Sequence, residues 1–123
     1  MRNYKNLNIW EKGIQIVKKV YFLVEKLPST EKFGLKSQLS RAAVSIPSNI
    51  AEGCSRTSEI EFKRFLEIAM GSLFEVETQL IICEELQFLT QDDTEEINHL
   101  LAQEAKMINS LISKIKKELV AKS

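Results

Sequence analysis

The sequence predicts an all-α fold: an up-down-up-down antiparallel four-helix bundle whose second helix is kinked at a proline. Three observations carry that expectation. Only 4 Gly and 2 Pro occur in 123 residues, too few breakers for a turn-rich β architecture. Apolar residues recur at alternating four- and three-residue spacing in four long stretches, the period of a helix face. The connections between these stretches are short, which places successive helices antiparallel.

The first helix is expected over about residues 8–27. Asn8 and Glu11 have capping-box spacing. Trp10, Ile14, Val17, Tyr21 and Val24 form one apolar row, and Ile9, Ile16, Val20, Leu23 and Leu27 form a second beside it. Two rows cover more surface than a monomeric bundle usually hides. Ile16, Val20 and Leu23 are therefore expected to face outward, against another copy of the chain.

Pro28 and Ser29 separate this helix from the second, expected over about residues 30–54. Its stripe is Leu35, Leu39, Ala42, Ala43, Ile46 and Ile50, with Gly53 as its stop. The third helix, about residues 58–89, opens on a Ser58/Glu61 capping box. The row Phe62, Leu66, Ala69, Leu73, Val76, Leu80, Cys83 follows, and the small residues Gly71 and Ser72 would let a neighbouring helix come close. The fourth, about residues 93–119, takes Asp93 as cap with Glu96 three residues on. Its row runs Ile97, Leu101, Ile108, Ile112, Ile115, Leu119, and Lys114, Lys116 and Lys117 suit its C-terminal end. All four belong to one domain, residues 1–123.

Pro47 interrupts the second stretch, and two readings compete: a helix ending at Ile46, or one helix passing through the proline. Ile46 is a poor N-cap, and Ile46 to Ile50 keeps the apolar phase set by Leu39. One kinked helix is favoured. The missing amide then leaves the Ala43 carbonyl without its usual partner, at a cost of about 3 kcal/mol. At about 100° per residue, Arg41, Ser45, Asn49, Glu52 and Arg56 fall on one strip. Ser45 and Ser48 hydroxyls can bond carbonyls one turn back. A ligand site and a solvated face are alternatives, but such short side chains favour a satisfied polar network.

Hydrophobic residues make up 44% and charged residues 28%, as in ordinary globular chains. No apolar run approaches a membrane span, and "MRNYKNLNIWEKG" lacks a signal peptide's apolar core. A cytoplasmic protein without membrane contact is expected. Cys54 and Cys83 have no metal or redox spacing and read as two reduced thiols. The net charge is zero, yet residues 1–57 carry 10 Lys/Arg against 4 Asp/Glu, and residues 58–123 carry 7 against 13. Such halves can meet within one chain or between copies.

His99 is the only histidine. Glu96 and His99 have the spacing of half a di-metal bundle motif, but no second copy exists. No glycine-rich phosphate loop is present. No catalytic residue, cofactor or metal is expected, and an enzyme is the weakest of the functional readings.

The segment Leu35–Gly53, "LKSQLSRAAVSIPSNIAEG", resembles the four-helix-bundle family encoded in intervening sequences of bacterial 23S ribosomal RNA genes. "FKRFLEIAMGSLFEVETQL", Phe62 to Leu80, resembles that family's second signature, and "LNIWEKG" its opening. The family is similar to the accessory variability protein of diversity-generating retroelements, a pentameric barrel that associates with a reverse transcriptase and RNA. The resemblance implies a cytoplasmic homopentamer with no established biochemical activity. A non-enzymatic oligomeric scaffold assembling as a ring is therefore the expected function. The alternative is an RNA-binding accessory protein acting with a nucleic-acid enzyme. Unlike the strongly basic retroelement protein, this chain is neutral, so it alone is expected to bind nucleic acid weakly. That weakness assumes that basic and acidic halves meet between protomers.

Overall fold

Local hydrogen-bond chemistry decides where each helix of this chain starts and stops. The computed structural model describes residues 2–122, which form four α-helices, two 3-10 turns and no strand. The helices are α1 (Asn8–Val24), α2 (Leu35–Cys54), α3 (Glu59–Glu85) and α4 (Gln91–Lys122).

The Asn8 cap does not form. A 3-10 turn, Tyr4–Asn6, precedes α1, and its own cap is Asn3, whose side chain accepts from the Lys5 amide at 3.1 Å. Leu7 stands at the N-cap of α1 without a side-chain bond. At the other end, the amides of Lys26 and Leu27 fold back on the carbonyls of Leu23 and Val24, closing α1 before Leu27.

The second helix begins at Leu35, the first residue of its apolar stripe, rather than near residue 30, because a 3-10 turn occupies Ser29–Glu31. Glu31 supplies the missing cap: its Oε1 accepts from the Leu35 amide at 3.1 Å. From there α2 passes through Pro47 without interruption. Gly53 lies inside the helix, with no positive φ, and does not stop it. Its role is steric: a Cβ there would lie 2.8 Å from Phe65 Cβ and 3.1 Å from Phe62 Cδ1. The end of α2 and the start of α3 meet through the absent side chain.

The Ser58 cap forms as its spacing predicts, accepting from the Glu61 amide at 3.1 Å. The end of α3 was hidden in the sequence because no glycine marks it. Gln87 takes the left-handed conformation (φ 63°), and the Phe88 and Gln87 amides bond the carbonyls of Cys83 and Glu84. This double bond pattern closes a helix normally through glycine. The last capping box is Thr90 with Asp93, not Asp93 with Glu96. The Asp93 amide donates to Thr90 Oγ1 at 3.1 Å, and the Thr90 amide donates to Asp93 Oδ2 at 2.9 Å.

Each helix packs against two others: α2 against α1 and α3, α4 against α3 and α1. The described residues thus surround one core. Among its fully buried side chains are Leu39, Ile46 and Ile50 from α2, Phe62 and Leu73 from α3, and Leu101 and Ile108 from α4. Ile16, Val20 and Leu23 belong there too, at 0%, 0% and 2% exposure. They are not an outward face. Of the other row, Ile14 and Tyr21 face solvent at 37% and 51%, Trp10 and Val17 are half-buried, and Val24 joins the core at 2%. Periodicity reveals two rows, but only the positions of α2 and α4 on either side of α1 decide which one is enclosed.

The charge halves meet within one chain, because α4 lies beside α1. Lys19 pairs with Glu96 at 2.8 Å, Lys26 with Asp93 at 2.7 Å, and Arg2 with Glu59 at 2.7 Å. Lys26 and the Thr90 amide hold the Asp93 carboxyl down at about 2. No helix among the described residues is long and apolar enough to cross a membrane.

Candidate interaction surface

The polar strip of α2 divides in two. On one side, Ser45 Oγ and Ser72 Oγ of α3 share a hydrogen bond at 2.8 Å, and Asn49 Nδ2 donates to both the Ser45 carbonyl and Ser45 Oγ at 2.8 Å. These three side chains form a network that joins α2 to α3. Ser72 is buried and Ser45 and Asn49 are half-buried. Removing Asn49 leaves Ser45 able to turn to water, so Asn49→Ala is expected to cost about 1 kcal/mol, measured as a lower urea midpoint.

On the other side, Arg41, Ser48, Glu52 and Arg56 are exposed and stand outside that network. Glu52 and Arg56 approach to 3.5 Å, an i,i+4 surface pair that contributes little. Arg41 makes no ion pair among the described residues. Ser48 and Glu52 instead line a groove of about 490 Å³ between α1 and α2, with Trp10, Ile14, Val17 and Val44 on its apolar side. Arg41, Val44 and Tyr21 continue that face in an adjoining groove. The outward row of α1 and the outward half of the strip are therefore one surface.

A second apolar surface runs along α3. Ile60, Ile68, Phe74, Ile81 and Ile82 are 39–62% exposed and fall on one side of the helix. Gly71 sits at the middle of that side, and a Cβ there would meet no atom within 4 Å. The close approach expected at Gly71 and Ser72 thus occurs within the chain only at Ser72. Scattered exposed apolar residues are ordinary, but rows along two helix faces make these the candidate contact surfaces.

One buried group escaped the sequence reading. Glu104 of α4 is 0% exposed, and neither carboxylate oxygen has a hydrogen-bond partner. Its signal was a gap, since the α4 row jumps from Leu101 to Ile108 over a position of apolar phase. Both cysteines are buried free thiols, and burial pushes Cys83 up to about 11. Such a thiol is a packing residue rather than a nucleophile. Among the described residues, no group of three or more His, Cys, Asp or Glu gathers to hold a metal.

Residues 5–110 match the family of 23S rRNA-intervening sequence proteins. The chain belongs to that family. A crystal structure of a protein with unknown function from the S23 ribosomal protein family of Bacteroides thetaiotaomicron is similar, with 25% identity and a TM-score of 0.78. The similarity covers 85% of this chain and 97% of that one. No curated protein matches. The family match takes in the whole of α2 and α3, hence both the Ser45–Asn49–Ser72 network and the two apolar faces. The lysine-rich end of α4 lies beyond it.

Proposed function

We propose that this 23S rRNA-intervening sequence protein is a non-enzymatic scaffold that assembles with copies of itself into a closed ring. The observation that carries the reading is the pair of unlike apolar faces, the α1/α2 groove and the outer side of α3. A patch that fits a different patch on the next copy makes a heterologous contact, which closes into a ring when the rotation allows. Gly71 supports it: mid-helix glycine costs about 1 kcal/mol relative to alanine, and nothing within the chain comes near it. A second helix packed on α3 gives that glycine a use.

On this reading the family's resemblance to the accessory variability protein of diversity-generating retroelements implies five copies in the cytoplasm. In this reading the protomer runs up-down-up-down, with α2 bent at Pro47 around the core. The motif's polar groups are engaged with one another or lie along the groove between copies, which leaves them no part in catalysis. Native mass spectrometry is expected to find five times the 14.1 kDa chain. A single-chain species at micromolar concentration overturns the ring.

A second reading, an RNA-binding accessory protein, is favoured by one feature. Lys106, Lys114 and Lys117 line a shallow groove on α4 with Asn109, Ser110 and Ser113. On α1, Lys19 is paired with Glu96 of α4 and Lys12 is bonded to Gln103, whereas these three lysines gather along one groove and suit phosphate. Three contacts per chain on single-stranded RNA give a log–log salt slope of about −2, and binding by one chain is weak at physiological salt. Filter binding at two salt concentrations checks this. Tight binding with a much steeper slope favours the RNA-binding reading over the scaffold.

A further inference from the structure

The core contains one feature that neither ring assembly nor RNA binding uses. Glu104 lies on α4 where that helix packs against α1, near the Pro47 turn of α2. Gly13 of α1 and Pro47 of α2 are its neighbours: from the position of a Gly13 Cβ, Pro47 Cβ is 3.1 Å away, Pro47 Cδ 3.3 Å and Glu104 Oε2 3.4 Å. Glycine at 13 is what lets the proline ring and the carboxyl come this close. Both carboxyl oxygens are enclosed and unpartnered, and a charge in that position is strongly unfavourable. Proline also leaves a backbone carbonyl of its own helix, that of Ala43, without an amide donor. An acid in its neutral form is a donor; a carboxylate is not.

We propose that Glu104 is a proton-dependent latch: as a neutral acid it is tolerated at the α1–α4 seam beside Pro47, and on ionising it must reach water, which loosens α4 from α1. The groups around it support a neutral acid. Lys12 of α1 is the charged group that acts on it among the described residues, and its Nζ is turned to Gln103 Oε1 at 2.8 Å. Pro47, its neighbour from α2, carries no charge, and the buried residues of α2 and α3 are uncharged throughout. Burial pushes the Glu104 carboxyl up to about 8, against the opposing pull of Lys12.

The sign follows from linkage. The unfolded chain releases this proton near pH 4.3 and the folded chain near pH 8, so the contribution is fully present below about 4.3 and lost as pH rises through 8. Over that window the opening equilibrium gains about tenfold per pH unit from this one group.

The test is hydrogen exchange of α4 amides at pH 5, 6, 7 and 8, corrected for intrinsic chemistry, in wild type and Glu104→Gln. The wild type is expected to lose protection about tenfold more steeply per pH unit than the variant, which cannot ionise. A carbon-13 titration of the Glu104 carboxyl in the wild type supplies the second readout, with a midpoint expected above 7. Parallel pH profiles in the two proteins, or a midpoint near the ordinary 4.3, overturn the latch. Should Glu104→Gln fail to fold, the titration alone decides.

Discussion

Val20→Asp is expected to unfold the chain, whereas Ile14→Asp and Phe74→Asp are expected to leave it folded and break its self-association. Val20 is fully enclosed between α1 and the rest of the core. A carboxylate there is a buried unpaired charge, among the few changes that cost on the order of 4–5 kcal/mol. That is comparable with the whole stability of a small domain. Ile14 at 37% and Phe74 at 54% exposure already touch water, so aspartate at either costs the protomer little. In the proposed ring the same aspartate would be buried between copies, and the ring would lose its contact from one side or the other. Circular dichroism reads the fold and light scattering the mass. A folded, dissociated Val20→Asp protomer would return Val20 to the surface. Wild-type mass in both Ile14→Asp and Phe74→Asp would remove the two faces from the interface.

Phe62→Ala is expected to lower stability by about 3–5 kcal/mol, the usual range for deleting a buried aromatic. The ring is 1% exposed and serves two partners at once. Arg2 places its guanidinium 4.0 Å above the ring, and that guanidinium is bonded twice to Glu59, at 2.7 and 2.8 Å. Gly53 brings the end of α2 against the other atoms of the ring. Alanine at 62 leaves a cavity at the α2–α3 junction and removes the platform that holds the N-terminal segment. Gly53→Ala is expected to destabilise as well, by about 1–3 kcal/mol for overpacking, less the roughly 1 kcal/mol that alanine gains in a helix. Urea unfolding measures both. A Phe62→Ala midpoint close to wild type means that the junction collapses around the gap.

The reading of Pro47 shows how far sequence reaches. Phase continuity from Leu39 to Ile50 and the poor cap at Ile46 were enough to predict one helix through the proline, and α2 is continuous. These are short-range constraints, satisfied or broken within two turns of chain. Cap positions are equally short-range, yet of the three expected N-caps, Asn8, Ser58 and Asp93, only Ser58 forms as its spacing predicts. Glu31, Gln87 and Thr90 close other helix ends. Which residue closes an end depends on how the connection is pulled taut between packed helices.

The polar strip was legible as a strip and illegible as a site. One face of α2 turned out to serve two surroundings, a network with Ser72 on α3 and a groove with the outward row of α1, because α2 lies between those helices. The same holds for charge. A basic half and an acidic half are visible by counting, but their meeting inside the chain follows from α4 lying against α1.

Periodicity and composition alone determined that this protein is all-α, that its helices are long, that α2 runs through Pro47 and that α1 is apolar on two sides. Those properties are set by residues within a few turns of one another. Which side of α1 is core, why Gly13 and Gly53 must be glycine, and that Glu104 is enclosed were decided only by tertiary structure. The reason is common to all three. Burial is a property of what lies on the far side of a side chain, and that is supplied by residues distant in sequence.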